Sequence, residues 1–158
     1  MSAADLTPTL EDAIVLAAQA HRGQIYPSPE GEPFILHPLR VMSKVTSSAE
    51  RVVAVLHDVI EDTHYTLDNL RHLGYSERVI DALDRLTHRD GETYEAYIER
   101  IKDDQLARQV KLADLEDNLA NNRRLAESTS SIEIQERIMR YERAIALLRA
   151  AAHAEPSL

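Results

Sequence analysis

An all-α fold, a compact bundle of about seven to nine helices in one domain over residues 1–158, is what this sequence predicts. Three observations carry that expectation. Glycine is scarce, at 4 residues in 158. The β-branched alternation that marks strands is almost absent, and apolar residues instead recur three and four apart, the spacing of one helix face. A chain of this length also suffices to enclose a single sizeable core.

The elements follow in order. Thr9 is a suitable N-cap, with Glu11 and Asp12 in the first turn of a helix that carries Ala13, Ile14, Leu16, Ala17 and Ala18 and ends near Arg22 and Gly23. The stretch "GQIYPSPEGEPFILHP" holds four of the six prolines and two of the four glycines, and reads as a long loop. A helix is expected from His37 or Pro38 to Val45, with Pro38 suited to its first turn. Ser48 should cap the next, Ala49 to about Ile60, whose Val52, Val53, Val55 and Leu56 make it a central, buried helix.

Thr66 to Leu73 predicts a short helix stopped by Gly74, and Ser76 caps "ERVIDALDRLT" without the capping-box glutamate, since Val79 stands there. "HRDG" is a turn. Helices at about Thr93–Lys102, Asp104–Glu127 and Ser131–Ala152 complete the chain. Val110, Leu112, Leu115 and Leu119 face inward on the second of these, and Ile134, Ile138, Tyr141, Ile145 and Leu148 form the stripe of the third. Residues 1–8 and 153–158 are expected to be flexible termini.

Composition excludes several classes of function. With no cysteine there is no disulfide framework, no thiolate nucleophile and no cysteine-based zinc site, which agrees with a cytoplasmic protein. The N-terminal segment carries Asp5, Glu11 and Asp12 and lacks the basic start of a signal peptide. No apolar run reaches the roughly 18 residues of a membrane span. A formal net charge of −9 repels a nucleic-acid backbone, so neither nucleic acid nor membrane is an expected partner, whereas a small phosphorylated ligand is compatible with a local cation.

The stretch "VLHDVIEDT" (55–63) ends an apolar run on one histidine and three carboxylates. On a continuous helix His57 lies above Glu61 and Asp58 above Asp62, while His57 and Asp58 are about 100° apart and can reach one ion. Read alone, an adjacent His–Asp pair is more often a solvated helix end. Two features favour a metal site. The preceding helix is buried, and buried charges need partners. His37, between Phe34-Ile35-Leu36 and Pro38-Leu39, and Asp114, in "VKLADLEDNLA", offer further ligands in apolar settings. Taken singly, His37 reads as a core histidine and Asp114 as a solvated carboxylate.

"HRGQ" (21–24), "EGEPFILHPLRV" (30–41), "VLHDVIEDT" (55–63) and "KLADLEDN" (111–118) together resemble, in order and spacing, the hydrolase domain of the RelA/SpoT group. This is the HD-domain superfamily branch that includes the small alarmone hydrolases, and the resemblance runs from about residue 10 to 150. It implies an HD-type helical bundle standing alone, without a synthetase domain. It also implies one divalent ion, usually manganese with Zn²⁺ or Fe²⁺ possible, on His37, His57, Asp58 and Asp114, a mixed donor set that suits an octahedral cation. The implied reaction is removal of the 3′-diphosphate of (p)ppGpp as pyrophosphate by a metal-activated water, with Glu61 and Asp62 as the acid/base pair. Which of the two is the base is left open. Two acids at a helix C-terminus oppose the helix dipole, which argues against a merely solvated role.

Arg22 and Asn118 match family positions near the nucleotide, and Lys44 and Tyr141 are further candidate contacts. Their bland alternatives are a solvated helix-end arginine, a surface amide and, for Tyr141, core packing. The pattern also departs from the family. Basic residues are expected where Ile25, Tyr26, Leu115 and Ala120 stand, and each lost charge-assisted contact costs about 1.5–3 kcal/mol. Arg40, Lys44, Arg123 and Arg124 are candidates to compensate. Two alternatives therefore stand beside the alarmone reading: the same metal chemistry on another phosphorylated nucleotide or small phosphate ester, and a non-catalytic nucleotide-binding module.

Overall fold

Side-chain caps set where the helices begin. In a computed structural model of the chain, which describes residues 7–154, Thr9, Ser47, Thr66, Ser76, Thr93, Asp104 and Ser131 each accept the amide three residues on. Each such bond satisfies one orphan donor of a first turn and is worth about 1 kcal/mol. The helices they open are α1 (Leu10–Ala20), α3 (Ser48–Leu56), α5 (Leu67–His72), α6 (Glu77–Leu86), α7 (Tyr94–Lys102), α8 (Gln105–Ser128) and α9 (Ile132–His153). Two more, α2 (Leu36–Ser43) and α4 (Val59–Asp62), start without a side-chain cap. That makes nine helices among the described residues, as the sequence led one to expect. Of the termini expected to be flexible, 1–8 and 153–158, residues 1–6 and 155–158 lie outside that range, while His153 is the last residue of α9.

Helix ends follow the punctuation. Gly74 stops α5 by adopting φ 97°, a left-handed conformation that any side chain would resist. The α3 cap is Ser47 rather than the expected Ser48, a one-residue shift at the boundary. The proline-rich loop contains a short hairpin that its composition concealed: β1 (Ile25–Tyr26) pairs antiparallel with β2 (Glu32–Pro33), placing Tyr26 opposite Glu32. Two residues per strand are too few for a periodic signal.

The apolar α3, with Val53, Ala54, Val55 and Leu56 fully buried, is the hub against which α1, α2, α6 and α8 pack. The long α8 and α9 run antiparallel, cross-linked on their solvent side by the Arg123–Glu142 and Arg149–Glu116 ion pairs. Among the described residues, no helix is long and apolar enough to cross a membrane.

Leu115 is fully buried in this core, although the family pattern expects a base there. Leu115→Ala should lower the unfolding free energy by about 2–5 kcal/mol in urea titrations, and Leu115→Arg by more, because it buries an unpaired charge. A loss below about 0.5 kcal/mol for Leu115→Ala would contradict its place in the core.

Candidate metal centre

Three packed helices bring the site together. His37 sits in the first turn of α2, Asp114 lies midway along α8, and His57 and Asp58 occupy the junction between α3 and α4. The expected single helix from Ala49 to Ile60 is broken there. His57 Nδ1 donates to the Ala54 carbonyl at 2.6 Å, taking the acceptor that the Asp58 amide would use in a continuing helix. The chain restarts at Val59, so the simple stacking of His57 over Glu61 does not apply. The break turns a helix end into a corner that points inward.

Both imidazoles spend their Nδ1 protons on the protein. His37 Nδ1 meets Asp117 Oδ2 at 2.7 Å, and His57 Nδ1 meets the Ala54 carbonyl. The Nε2 atoms are therefore left as lone-pair donors, and both face carboxylates. Asp114 Oδ1 lies 3.0 Å from His37 Nε2 and 3.3 Å from His57 Nε2. Asp58 Oδ2 lies 3.5 and 3.1 Å from the same two nitrogens. Ligand atoms of His37, His57 and Asp58 all fall within 4.8 Å of one another, and Asp114 closes the set from the α8 side.

Lone pairs facing carboxylate oxygens in a buried corner repel unless a cation or protons stand between them. His57 Nε2 is buried with no hydrogen-bond partner. Metal-binding histidines characteristically hand the other ring N–H to a carbonyl or carboxylate, which is the arrangement seen at both residues. Two imidazoles and two carboxylates thus fit a divalent ion on grounds of donor chemistry and tautomer alike. Without an ion, protons fill the role. Burial alone would lower the His57 pKa, yet Asp58 and Asp114 together raise it well above the ordinary value. Burial opposes Asp114 ionisation, but Lys111 and His57 hold its carboxyl well below the ordinary range.

A second ring of contacts, little of it legible in the sequence, fixes these ligands. Partly buried Lys111 places Nζ 2.8 Å from Asp114 Oδ2, and Asn118 Nδ2 donates to Asp114 Oδ1 at 2.9 Å. Asp117 bridges His37 Nδ1 and Arg40 Nε. His21 and Gln24 escape sequence reading even though both lie in "HRGQ". Gln24 Nε2 donates to the Asp62 carbonyl, which turns its Oε1 to His21 Nδ1 at 2.8 Å. His21 Nε2 is then a bare, buried acceptor, and burial keeps that imidazole neutral by lowering its pKa.

The remaining predicted residues are spread more widely. Glu61 reaches the α6–α7 turn, where its Oε1 accepts the His88 amide. That turn is held by Arg100, which pairs with Glu92 and donates to the Thr87 carbonyl. Asp62 is an exposed residue whose carboxyl nonetheless rises to about 6, through desolvation first and then the charges of Asp58 and Glu61. Arg22 and Lys44 are exposed just beyond the ends of α1 and α2, and Tyr141 is half-buried on α9 beneath Arg140. Of the four proposed substrate contacts, Asn118 is the one hydrogen-bonded to a candidate ligand.

Comparison with known proteins gives a consistent picture. No protein-family model matches the chain. The guanosine-3′,5′-bis(diphosphate) 3′-pyrophosphohydrolase MESH1 of Homo sapiens is 37% identical over 138 residues, covering 80% of this chain and 77% of that protein. Its counterpart in Xenopus tropicalis is 31% identical over 139 residues, covering 82% and 76%. The match to the Danio rerio protein is shorter, 70 residues at 37% identity, and spans 39% of that relative. A solved structure described as a metazoan orthologue of SpoT that hydrolyses ppGpp superposes with a TM-score of 0.77, covering 90% of this chain and 86% of that one. Its sequence is 21% identical, so it speaks to the fold.

The raised Asp62 carboxyl has a measurable consequence in metal-free protein. Its folded pKa of about 6 lies above the ordinary 3.8, so the folded state keeps a proton that the unfolded state has released between those values. The associated stability is complete below the lower value and lost as pH rises to the higher one. Asp62→Asn lacks that slope. Urea titrations should therefore find the variant gaining on the parent between pH 4 and pH 7, and a pH-independent difference would contradict the shift.

Proposed function

Because the chain belongs to the family of guanosine-3′,5′-bis(diphosphate) 3′-pyrophosphohydrolases, we propose that it is a metal-dependent phosphohydrolase that releases the 3′-diphosphate of (p)ppGpp as pyrophosphate. One observation carries most weight: two buried imidazoles, each with its Nδ1 proton committed, turn their Nε2 atoms on Asp58 and Asp114. His37, His57, Asp58 and Asp114 would hold the ion, with Mn²⁺ the best fit and Zn²⁺ or Fe²⁺ as alternatives. When bound, such an ion supplies Lewis-acid polarisation of a phosphoryl oxygen and lowers the pKa of water.

The chain's own residues handle the protons. Water attacks the phosphorus next to the ribose 3′ oxygen, the bond between them breaks, and the leaving oxygen takes up a proton. Glu61, with one carboxylate oxygen held by the His88 amide, is suited to accept the proton of the attacking water. Asp62, titrating at about 6, is suited to deliver one to the leaving oxygen near neutral pH. Arg22, Lys44, Asn118 and Tyr141 are the proposed substrate contacts. A cysteine-free chain suits the cytoplasm, where we place this activity.

A second reading keeps the site and changes the substrate to a less charged phosphorylated nucleotide. The charge inventory favours it. Arg40 is committed to Glu32 and Asp117, Arg123 to Glu142 and Arg124 to Glu30, so three of the four cations expected to compensate already serve carboxylates. Exposed Ile25 and Ala120 add no charge, and Tyr26 and Leu115 are buried.

Purified protein with Mn²⁺, screened against ppGpp and a panel of nucleotide phosphates, separates the readings. Release of pyrophosphate from ppGpp, lost in Asp58→Ala and reduced about 10²–10⁴-fold in Glu61→Gln, is the expected result. Turnover confined to less charged nucleotides selects the second reading. Nucleotide binding without any turnover would leave a non-catalytic module.

A further inference from the structure

Tyr26 stands where the family pattern expects a base, and it is 4% exposed. Its ring lies parallel to the His37 imidazole, with centroids 4.8 Å apart and planes 9° apart. The same ring has the Arg40 guanidinium carbon 5.4 Å from its centroid. Its hydroxyl donates to Asn118 Oδ1 at 2.7 Å, and Asn118 Nδ2 donates in turn to Asp114 Oδ1 at 2.9 Å. Ionised Asp114 can only accept, so it requires the amide orientation that presents N–H to it, and the Tyr26 hydroxyl braces that orientation by donating to the amide oxygen.

The hairpin that carries Tyr26 is seated for this task. Asn121 Nδ2 donates to the Pro27 carbonyl at 3.0 Å, tying the strand end to α8 one turn from Asn118. Glu32, the register partner of Tyr26, pairs with Arg40, which also holds Asp117 on His37 Nδ1. One side chain thus touches two of the candidate ligands, His37 directly and Asp114 through one amide.

We propose that Tyr26 is a positioning residue of the metal shell, its ring fixing the plane of the His37 imidazole and its hydroxyl, through Asn118, aiming Asp114 Oδ1 at the ion. This rests on the metal-site reading given above. It assigns a role to the place where the expected basic residue is missing: the phenol supports the ligands and does not contact substrate phosphate. Asn118 then has its carbonyl oxygen bonded inside the protein.

The test is Mn²⁺ affinity, read by calorimetric titration of metal-free protein without substrate, together with the electron paramagnetic resonance spectrum of bound Mn²⁺. Tyr26→Phe removes only the hydroxyl and should weaken Mn²⁺ binding about 10-fold or more, with an altered spectrum and little change in the thermal midpoint of metal-free protein. Asn118→Ala should do the same, and the double variant should lose no more than Asn118→Ala alone, because both act through one chain of bonds. Asp114→Ala separates the two ideas. If it binds Mn²⁺ as tightly as the parent, the metal reading itself fails. If it loses binding while Tyr26→Phe stays within about twofold of the parent, or if the Tyr26 and Asn118 effects simply add, the positioning role is overturned.

Discussion

Two imidazole lone pairs turned toward two carboxylates inside a helical core are the constraint on which the rest of this molecule depends. Such an arrangement is unstable by itself, since neither partner can donate a hydrogen bond to the other. It persists because the surrounding residues set every proton around it. Ala54 and Asp117 accept the Nδ1 protons, and Lys111 neutralises the far oxygen of Asp114. What these supports leave facing one another are two imidazole nitrogens and two carboxylates, a donor set that fits a small divalent cation. Removing one of these supports would leave a buried charge unpaired, which costs more than the pair itself contributes.

The backbone serves the same constraint. On a continuous helix from Ser48 to Asp62, His57 and Asp58 would sit side by side on one turn, about 100° apart, with the chain running straight on past them. The break after Leu56 lets both side chains converge on α2 and α8. It is produced by His57 itself, whose ring competes for a helix carbonyl. The same residue therefore sits at the helix end and offers a candidate ligand.

Much of the fold was legible in the residues because helix caps and apolar spacing are local signals. Thr9, Thr66, Ser76, Thr93 and Ser131 marked their helices, and Gly74 marked an end. The helix break was not legible, since it depends on a side chain choosing a carbonyl three residues back. The hairpin at Ile25–Pro33 was hidden by its brevity. His37, His57, Asp58 and Asp114 were noticeable as polar residues in apolar settings. The roles of Tyr26 and Asp117 were not, because their partners lie in other elements: Asp117 and His37 are 80 positions apart, and Tyr26 and Asn118 are 92. Sequence reading picked out the candidate ligands and missed what orients them.

The same contacts bear on what the site can accept. A nucleotide carrying two diphosphates needs cations free to meet it, and charge-assisted bonds are the strongest available for that purpose. Here Arg40 belongs to the ligand-orienting network through Asp117, and Lys111 to Asp114. These cations stabilise the site's own carboxylates, so their field is largely spent before a substrate arrives. Arg22 and Lys44 are exposed near helix ends, where a long side chain can move to a phosphate at little structural cost. On the proposed function, the basic groups nearest the candidate ligands would hold those ligands, and recognition of the more distant phosphates would fall to exposed Arg22 and Lys44. That division would place specificity at the rim and catalytic competence in the core, so that the two could change independently by mutation.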